Sequence, residues 1–267
     1  RVTIMLRMRT PCRLIVASFV VFGLVATACS DESDTTPATG SAIAGAVVVF
    51  AASSLTEAFT EMADAFAADH PDVNLTFNFA GSGDLFTQIS EGAPADVFVS
   101  ADAANMTRLT DAALNAGAPV TIARNTFEII VEPGTPQAIT GLTDLVDPNL
   151  IVVLCADTVP CGKGAQQVLA NAGITLTPKS LEDKVKGVVT KVTAGEADAG
   201  IVFVTDVNAA GNTAEGVQIP AAVNVISEYP AVITKDAPNP AAAQAFLEFV
   251  AGPAGQAILA TYGFLAP

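Results

Sequence analysis

Residues 46–59 read Ala-Val-Val-Val-Phe-Ala-Ala-Ser-Ser-Leu-Thr-Glu-Ala-Phe, and the change of pattern within this stretch decides the fold class. Residues 46–51 form an unbroken apolar run rich in β-branched side chains. That is the composition of a strand covered on both faces, where every side chain must find apolar neighbours. Ser53 and Ser54 follow, with Glu57 three positions after Ser54, the spacing of a helix capping box. Phe59, Met62, Ala63 and Phe66 then recur at helical intervals. A buried strand therefore runs directly into a helix start, the unit from which parallel α/β layers are built.

The same alternation extends outward. A strand is expected at 75–79, then a Gly81-Ser82-Gly83 turn and a helix carrying Leu85, Phe86 and Ile89. Pro94-Ala95-Asp96 opens a strand at 97–99, and a helix over 103–116 closes at Gly117 as a C-terminal glycine would. The strand at 125–131 starts a new composition block, which puts a first interlobe crossing near Asn125. The second block repeats the order: a strand at 151–154, helices at 164–171 and 182–193, and a strand at 200–204. The stretch 229–233 reads as a strand returning to the first block, completed by helices at 241–251 and 253–262. The expected organisation is two lobes, 46–125 with 228–267, and 126–227. A chain of 267 residues suits two lobes better than one core, and 51% hydrophobic against 15% charged residues excludes disorder.

The first 28 residues read differently. Arg1, Arg7, Arg9 and Arg13 precede an apolar run at 14–25, a basic region followed by a hydrophobic one. Ala26-Thr27-Ala28-Cys29 resembles a bacterial lipoprotein lipobox, so 1–28 is expected to be a lipoprotein signal peptide and Cys29 the lipidated residue. A transmembrane anchor is the alternative, but the run falls well short of the ~20 residues a span needs. Residues 30–41 are polar and aperiodic, and 29–45 is expected to be a flexible tether. The opening Arg suggests a truncated or misassigned translation start.

Removal of residues 1–28 takes away four of the twelve Lys and Arg and no acid, leaving eight against 27, a formal charge of −19. This excludes nucleic acid and anionic lipid surfaces as preferred partners. It does not exclude an anionic ligand, because affinity depends on donors within the site and net charge governs only long-range steering. Cys155 and Cys161 are close in sequence, and outside the cytoplasm the redox environment favours a disulfide between them over two buried thiols. The single histidine, His70, and the lack of a Cys-x-x-Cys pair argue against a metal site.

Three strand-to-helix junctions present small uncharged residues: Ser53-Ser54, Gly81-Ser82-Gly83 and Pro160-Cys161-Gly162. A helix start carries unsatisfied N–H groups and a partial positive charge, and Gly or Ser lets an anion approach them closely. Singly, each junction is ordinary helix-start chemistry. Converging, they would replace the hydration shell of a dianion without formal positive charge. At ~1.5–3 kcal/mol per hydrogen bond to a charged group, about seven donors would sustain submicromolar binding.

The run 48–59 resembles the opening of the molybdate-binding proteins of bacterial transport systems. So do Phe79-Ala80-Gly81-Ser82-Gly83-Asp84-Leu85, the block 92–102 containing Gly-Ala-Pro-Ala-Asp and Ser-Ala-Asp, and Gly200-Ile201-Val202-Phe203. The similarity continues through Glu228-Tyr229-Pro230, Gly252-Pro253 and Tyr262-Gly263-Phe264. It implies an α/β, two-lobed, type II periplasmic-binding-protein fold, each lobe a mixed, mostly parallel sheet flanked by helices. It also implies a monomer that binds molybdate or tungstate without a cofactor and delivers it to the permease and ATPase of an ABC importer at the extracytoplasmic face of the cell membrane. Any molybdenum would be held only as the oxyanion.

Carried over by position, Ser54 and Ser82 match family serines that give hydroxyl and amide donors. Cys161 and, through a gapped alignment, Val185 match main-chain donors. Phe203 stands where many members carry a tyrosine whose hydroxyl reaches the ligand; Ser53, Thr205 or a water are candidates to offset that lost donor. Asp96 and Asp102 are expected to be structural, since a carboxylate facing a dianion repels it. Lys163 is expected to be a solvated loop residue, and Gly162-Lys163-Gly164 lacks phosphate-loop spacing. Tyr229 and Tyr262 are assigned to structure. Sulfate on the same fold is the alternative ligand. A serine hydrolase is the rival class, but Ser82 lacks the outer glycines of a nucleophile elbow and His70 lies in a turn.

Overall fold

The protein is described by a computed structural model covering residues 43–134 and 137–267; the expected signal peptide, Cys29 and all but the last three residues of the tether lie outside the described residues. The chain opens with β1 (Gly45–Ala52), a single 3-10 turn at Ser53–Leu55 and α1 (Thr56–Asp69). It continues through β2 (Val73–Ala80), α2 (Ser82–Ser90), β3 (Val97–Val99), α3 (Ala103–Asp111) and β4 (Asn115–Asn125). Next come β5 (Phe127–Val131), β6 (Val152–Cys155), α4 (Pro160–Asn171), β7 (Ser180–Glu182), α5 (Val185–Thr193), β8 (Ala199–Phe203), α6 (Val204–Ala210) and β9 (Glu215–Gln218). The chain returns as β10 (Ser227–Thr234) and ends with α7 (Pro240–Ala251) and α8 (Pro253–Thr261).

Two five-stranded sheets result, ordered β2-β1-β3-β10-β4 and β7-β6-β8-β5-β9. In the first, β2, β1 and β3 pair in parallel while β10 runs against both β3 and β4. In the second, β7, β6 and β8 pair in parallel while β5 runs against both β8 and β9. Each sheet is thus mixed, with a single reversed strand, and that strand is the one the chain enters on crossing between the lobes. β1 explains its own placement inside the sheet: Val47, Val49 and Ala51 on one face and Phe50 and Ala52 on the other are buried, as a strand with helices on both faces requires. Over it pack Phe59 and Phe66 of α1, which meet Phe246 of α7 edge to face at 5.9 and 5.5 Å. Complete burial of each such ring contributes about 1.5–3 kcal/mol.

The two crossings lie side by side. Ser227 pairs with Asn125 at the end of the β4–β10 ladder. Asn224 clamps the adjacent strand, accepting from the Phe127 N–H at 3.0 Å and donating to the Phe127 carbonyl at 2.8 Å.

Several local expectations are corrected. The helix after β3 ends at Asp111, not near 116, because Ala113 turns to φ +53° and the chain leaves as β4, with Gly117 inside that strand. The helix after β6 begins at Pro160, and the expected helix at 182–193 begins at Val185 after a short strand. Ser54 and Glu57 form no capping box: the helix start has no side-chain cap, and the Ser54 hydroxyl bonds elsewhere. Asp96 and Asp102 are structural. Asp96 accepts from the Val48 N–H at 2.8 Å, and Asp102 caps α3 by accepting from the Asn105 N–H at 2.8 Å.

Candidate functional site

Four helix starts meet where the two lobes face each other. The turn carrying Ser53 and Ser54 follows the C-terminal end of β1, and Gly81-Ser82 follows the end of β2. From the other lobe come Pro160-Cys161 at the start of α4 and Lys184-Val185 at the start of α5. In open α/β sheets this is where ligands bind, because helix starts then point their free N–H groups at one spot. None of the four starts is closed by its own side chain, whereas α3 and α7 are capped by Asp102 and Asn239. Pro160 has no N–H, so the first free amide of α4 is that of Cys161.

The six expected binding residues, Ser53, Ser54, Ser82, Cys161, Val185 and Phe203, all line one cavity between these starts. Its empty volume of about 220 Å³ leaves room for a small ion and not for a larger ligand. All six are buried; Ser82 is 1% exposed and Phe203 1%. Lys184 is the one formally charged residue among those lining it. Cys155 and Cys161 are joined by a disulfide, which ties the start of α4 to the end of β6. Gly81 lies so close to the opposite lobe that a Cβ there would come within 2.7 Å of the Asp183 carbonyl oxygen. Larger hollows of about 880 and about 1010 Å³ flank the crossings; the first is lined by residues such as Glu128 and the exposed Ile226, and the second runs past the starts of α3 and α4 at Asp102 and Pro160.

Both serine hydroxyls are held from behind. Ser82 Oγ accepts from the Ala101 N–H at 3.0 Å, and Ser54 Oγ lies 2.9 Å from the Tyr229 hydroxyl. Tyr229 is fully buried, and burial pushes its phenol well above the usual tyrosine range, so it is protonated. Thr205, on α6, accepts from Asn125 Nδ2 at 2.8 Å.

An ion network crosses the cleft beside the cavity. Lys186 of α5 donates to both oxygens of Glu57 on α1, at 2.9 and 2.8 Å, and its Nζ stands 3.2 Å from Asp206 Oδ1. Asp206 is fully buried and accepts no well-formed side-chain hydrogen bond. Burial pushes its carboxyl up to about 6, Lys186 offsetting only part of that cost. Burial also opposes the Lys186 charge, yet the Asp206 and Glu57 carboxylates overcome it and hold the ammonium above the usual lysine range. On the far side Lys163 reaches Asp102 across the cleft at 3.5 Å, a partly exposed contact worth little by itself. Sequence reasoning anticipated neither pair, nor the part played by Tyr229 and Asn125, because the partners are far apart in the chain.

These features agree with the relationships of the chain. Residues 47–265 match the model of the bacterial extracellular solute-binding protein family. The molybdate-binding protein ModA of Mycobacterium tuberculosis is 41% identical over 253 residues, covering 95% of this chain and 97% of that protein. A solved substrate-binding domain of a putative molybdenum ABC transporter from Clostridium difficile superposes with a TM-score of 0.63 at 27% identity, covering 83% of this chain and 99% of that one. The sulfate-binding protein SubI of Mycobacterium tuberculosis shares the fold, with a TM-score of 0.73 at 18% identity over 82% of this chain and 86% of that one. The chain belongs to the bacterial extracellular solute-binding protein family, alongside the ModA molybdate-binding proteins.

Proposed function

We propose that this protein captures molybdate or tungstate outside the cytoplasm and delivers it to the permease and ATPase of an ABC importer. The observation that carries the proposal is the cavity itself: four uncapped helix starts and two serine hydroxyls surround a space of small-ion size. Such a site offers donors and almost no formal charge, the environment that solvates a fully deprotonated tetrahedral dianion. Ser54 and Ser82 would give hydroxyl donors, and Cys161 and Val185 main-chain donors, with Ser53 beside them. The mature chain would be a monomer held at the membrane by a lipid on Cys29. It binds its ligand without turnover or cofactor.

Isothermal titration of residues 43–267 with molybdate, tungstate, sulfate and phosphate tests this reading. Submicromolar binding of molybdate and tungstate is expected, with sulfate weaker and phosphate weakest. Binding of sulfate alone would reject the ligand, and binding of none would reject the class.

Phe203 offers a second test. Its ring lines the cavity without contributing a donor, and it stacks on Phe127 at 4.6 Å. Phe203→Tyr is expected to tighten molybdate binding about tenfold, the low end of a hydrogen bond to a charged acceptor. An unchanged Kd would show that the new hydroxyl points away from the anion.

A further inference from the structure

We infer that Tyr229 is a positioning residue that fixes the Ser54 hydroxyl as a donor into the cavity and so sets the preference for fully deprotonated oxyanions; this rests on the oxyanion reading above. One chain of hydrogen bonds leads from the crossing to Ser54. The Thr126 N–H donates to Asn125 Oδ1 at 2.9 Å, which fixes the amide so that Nδ2 faces inward. Asn125 Nδ2 then approaches the Tyr229 hydroxyl at 3.4 Å as a donor. With a donor on that side, the phenol proton has one remaining acceptor among the described residues, Ser54 Oγ at 2.9 Å. Ser54 Oγ therefore accepts from Tyr229, which leaves its own proton free to donate into the cavity that Ser54 lines. Ser82 is set the same way by the Ala101 N–H.

The consequence is chemical. A serine hydroxyl left free can either donate or accept, and so can satisfy a ligand bearing a proton. With one lone pair of each hydroxyl already occupied, both serines favour donating to a ligand, and the P–OH proton of hydrogen phosphate meets poorer acceptors than free hydroxyls would give. Molybdate and sulfate, which carry no proton near neutral pH, incur no such loss. For Ser82 the director is a backbone amide; for Ser54 it is a side chain, so this half of the discrimination can be removed by one substitution.

The test is Tyr229→Phe, read by titration with molybdate and with inorganic phosphate. The phenylalanine ring can keep the edge contacts with Phe203 at 5.9 Å and Phe264 at 5.3 Å, so a folded protein is expected. Molybdate affinity should fall about tenfold while the molybdate-to-phosphate affinity ratio falls by more than that, because Ser54 regains its freedom to accept. General loosening of the site would weaken both ligands in parallel and leave the ratio unchanged, and that result overturns the inference. Ser54→Ala supplies a second measurement: adding Tyr229→Phe to it should change neither the molybdate Kd nor the ratio, if Tyr229 acts through Ser54. A further loss in the double variant also overturns the inference. A wild-type protein that binds no oxyanion at all would instead reject the functional reading, so the two failures are distinct.

Discussion

Replacing Ser54 and Ser82 together by alanine is expected to weaken molybdate binding by about 10²–10⁴-fold while leaving the fold intact. Each hydroxyl directed at a charged acceptor contributes ~1.5–3 kcal/mol, so the loss of two amounts to about 3–6 kcal/mol. The two serines belong to different strand-to-helix junctions of one lobe, at the ends of β1 and β2, and both are almost wholly buried. Water has little room to replace them. The substitution also leaves the Ala101 N–H and the Tyr229 hydroxyl without their acceptor, so a drop of a few degrees in Tm is expected as well. Calorimetric Kd values measured beside a thermal melt separate the two effects. A Kd within threefold of wild type, in a protein that melts normally, would remove the serines from the binding machinery.

The second large effect concerns stability. Lys186→Met is expected to cost about 3–5 kcal/mol, because it strips Asp206 of its cation partner and leaves a fully buried carboxylate uncompensated. For a protein of this size that corresponds to a fall of about 10 °C in Tm. The pH dependence has a definite sign. Asp206 is pushed up to about 6 in the folded protein from an ordinary value of 3.8, so between those values the folded state holds more proton than the unfolded one. The contribution of this group to stability therefore falls as pH rises through that window and improves on acidification. Removing Lys186 moves the folded value higher still. The variant should thus recover more Tm than wild type when pH is lowered from about 7 to about 5. Asp206→Asn in the same background should restore much of the loss at neutral pH, since the charge that lacked a partner is gone. Equal melting curves for wild type and Lys186→Met would show that water already solvates Asp206.

Much of the architecture was legible because its cues are local. The runs at 47–51 and 199–203 are apolar throughout, as strands covered on both faces must be, and small residues mark the helix starts that follow β1 and β2. The overrun of α3 has an equally local reason. Residues 112–118 are mostly alanine, leucine and glycine, which do not announce a strand, and the turn depends on Ala113 adopting a left-handed backbone, uncommon outside glycine. The supporting layer of the site could not be read in this way. Ser54 finds Tyr229 175 positions later, Lys186 finds Glu57 129 positions earlier, and Asn125 meets Tyr229 across 104. Capping spacing pointed Ser54 at Glu57, and only tertiary packing redirected it. The candidate donors were visible from junction chemistry and family resemblance, whereas the groups that aim them exist as neighbours only after both lobes are built.

The close approach at Gly81 has a kinetic meaning. With less than a methyl group of clearance to the Asp183 carbonyl, and with the residues lining the cavity buried, the halves leave a guest little way past while they stand together. On the oxyanion reading, parting of the halves for entry or escape would break the Lys186–Glu57 and Lys163–Asp102 pairs. Uptake would then follow how often the molecule gapes, and a captured ion would dwell for as long as the Lys186 clasp holds.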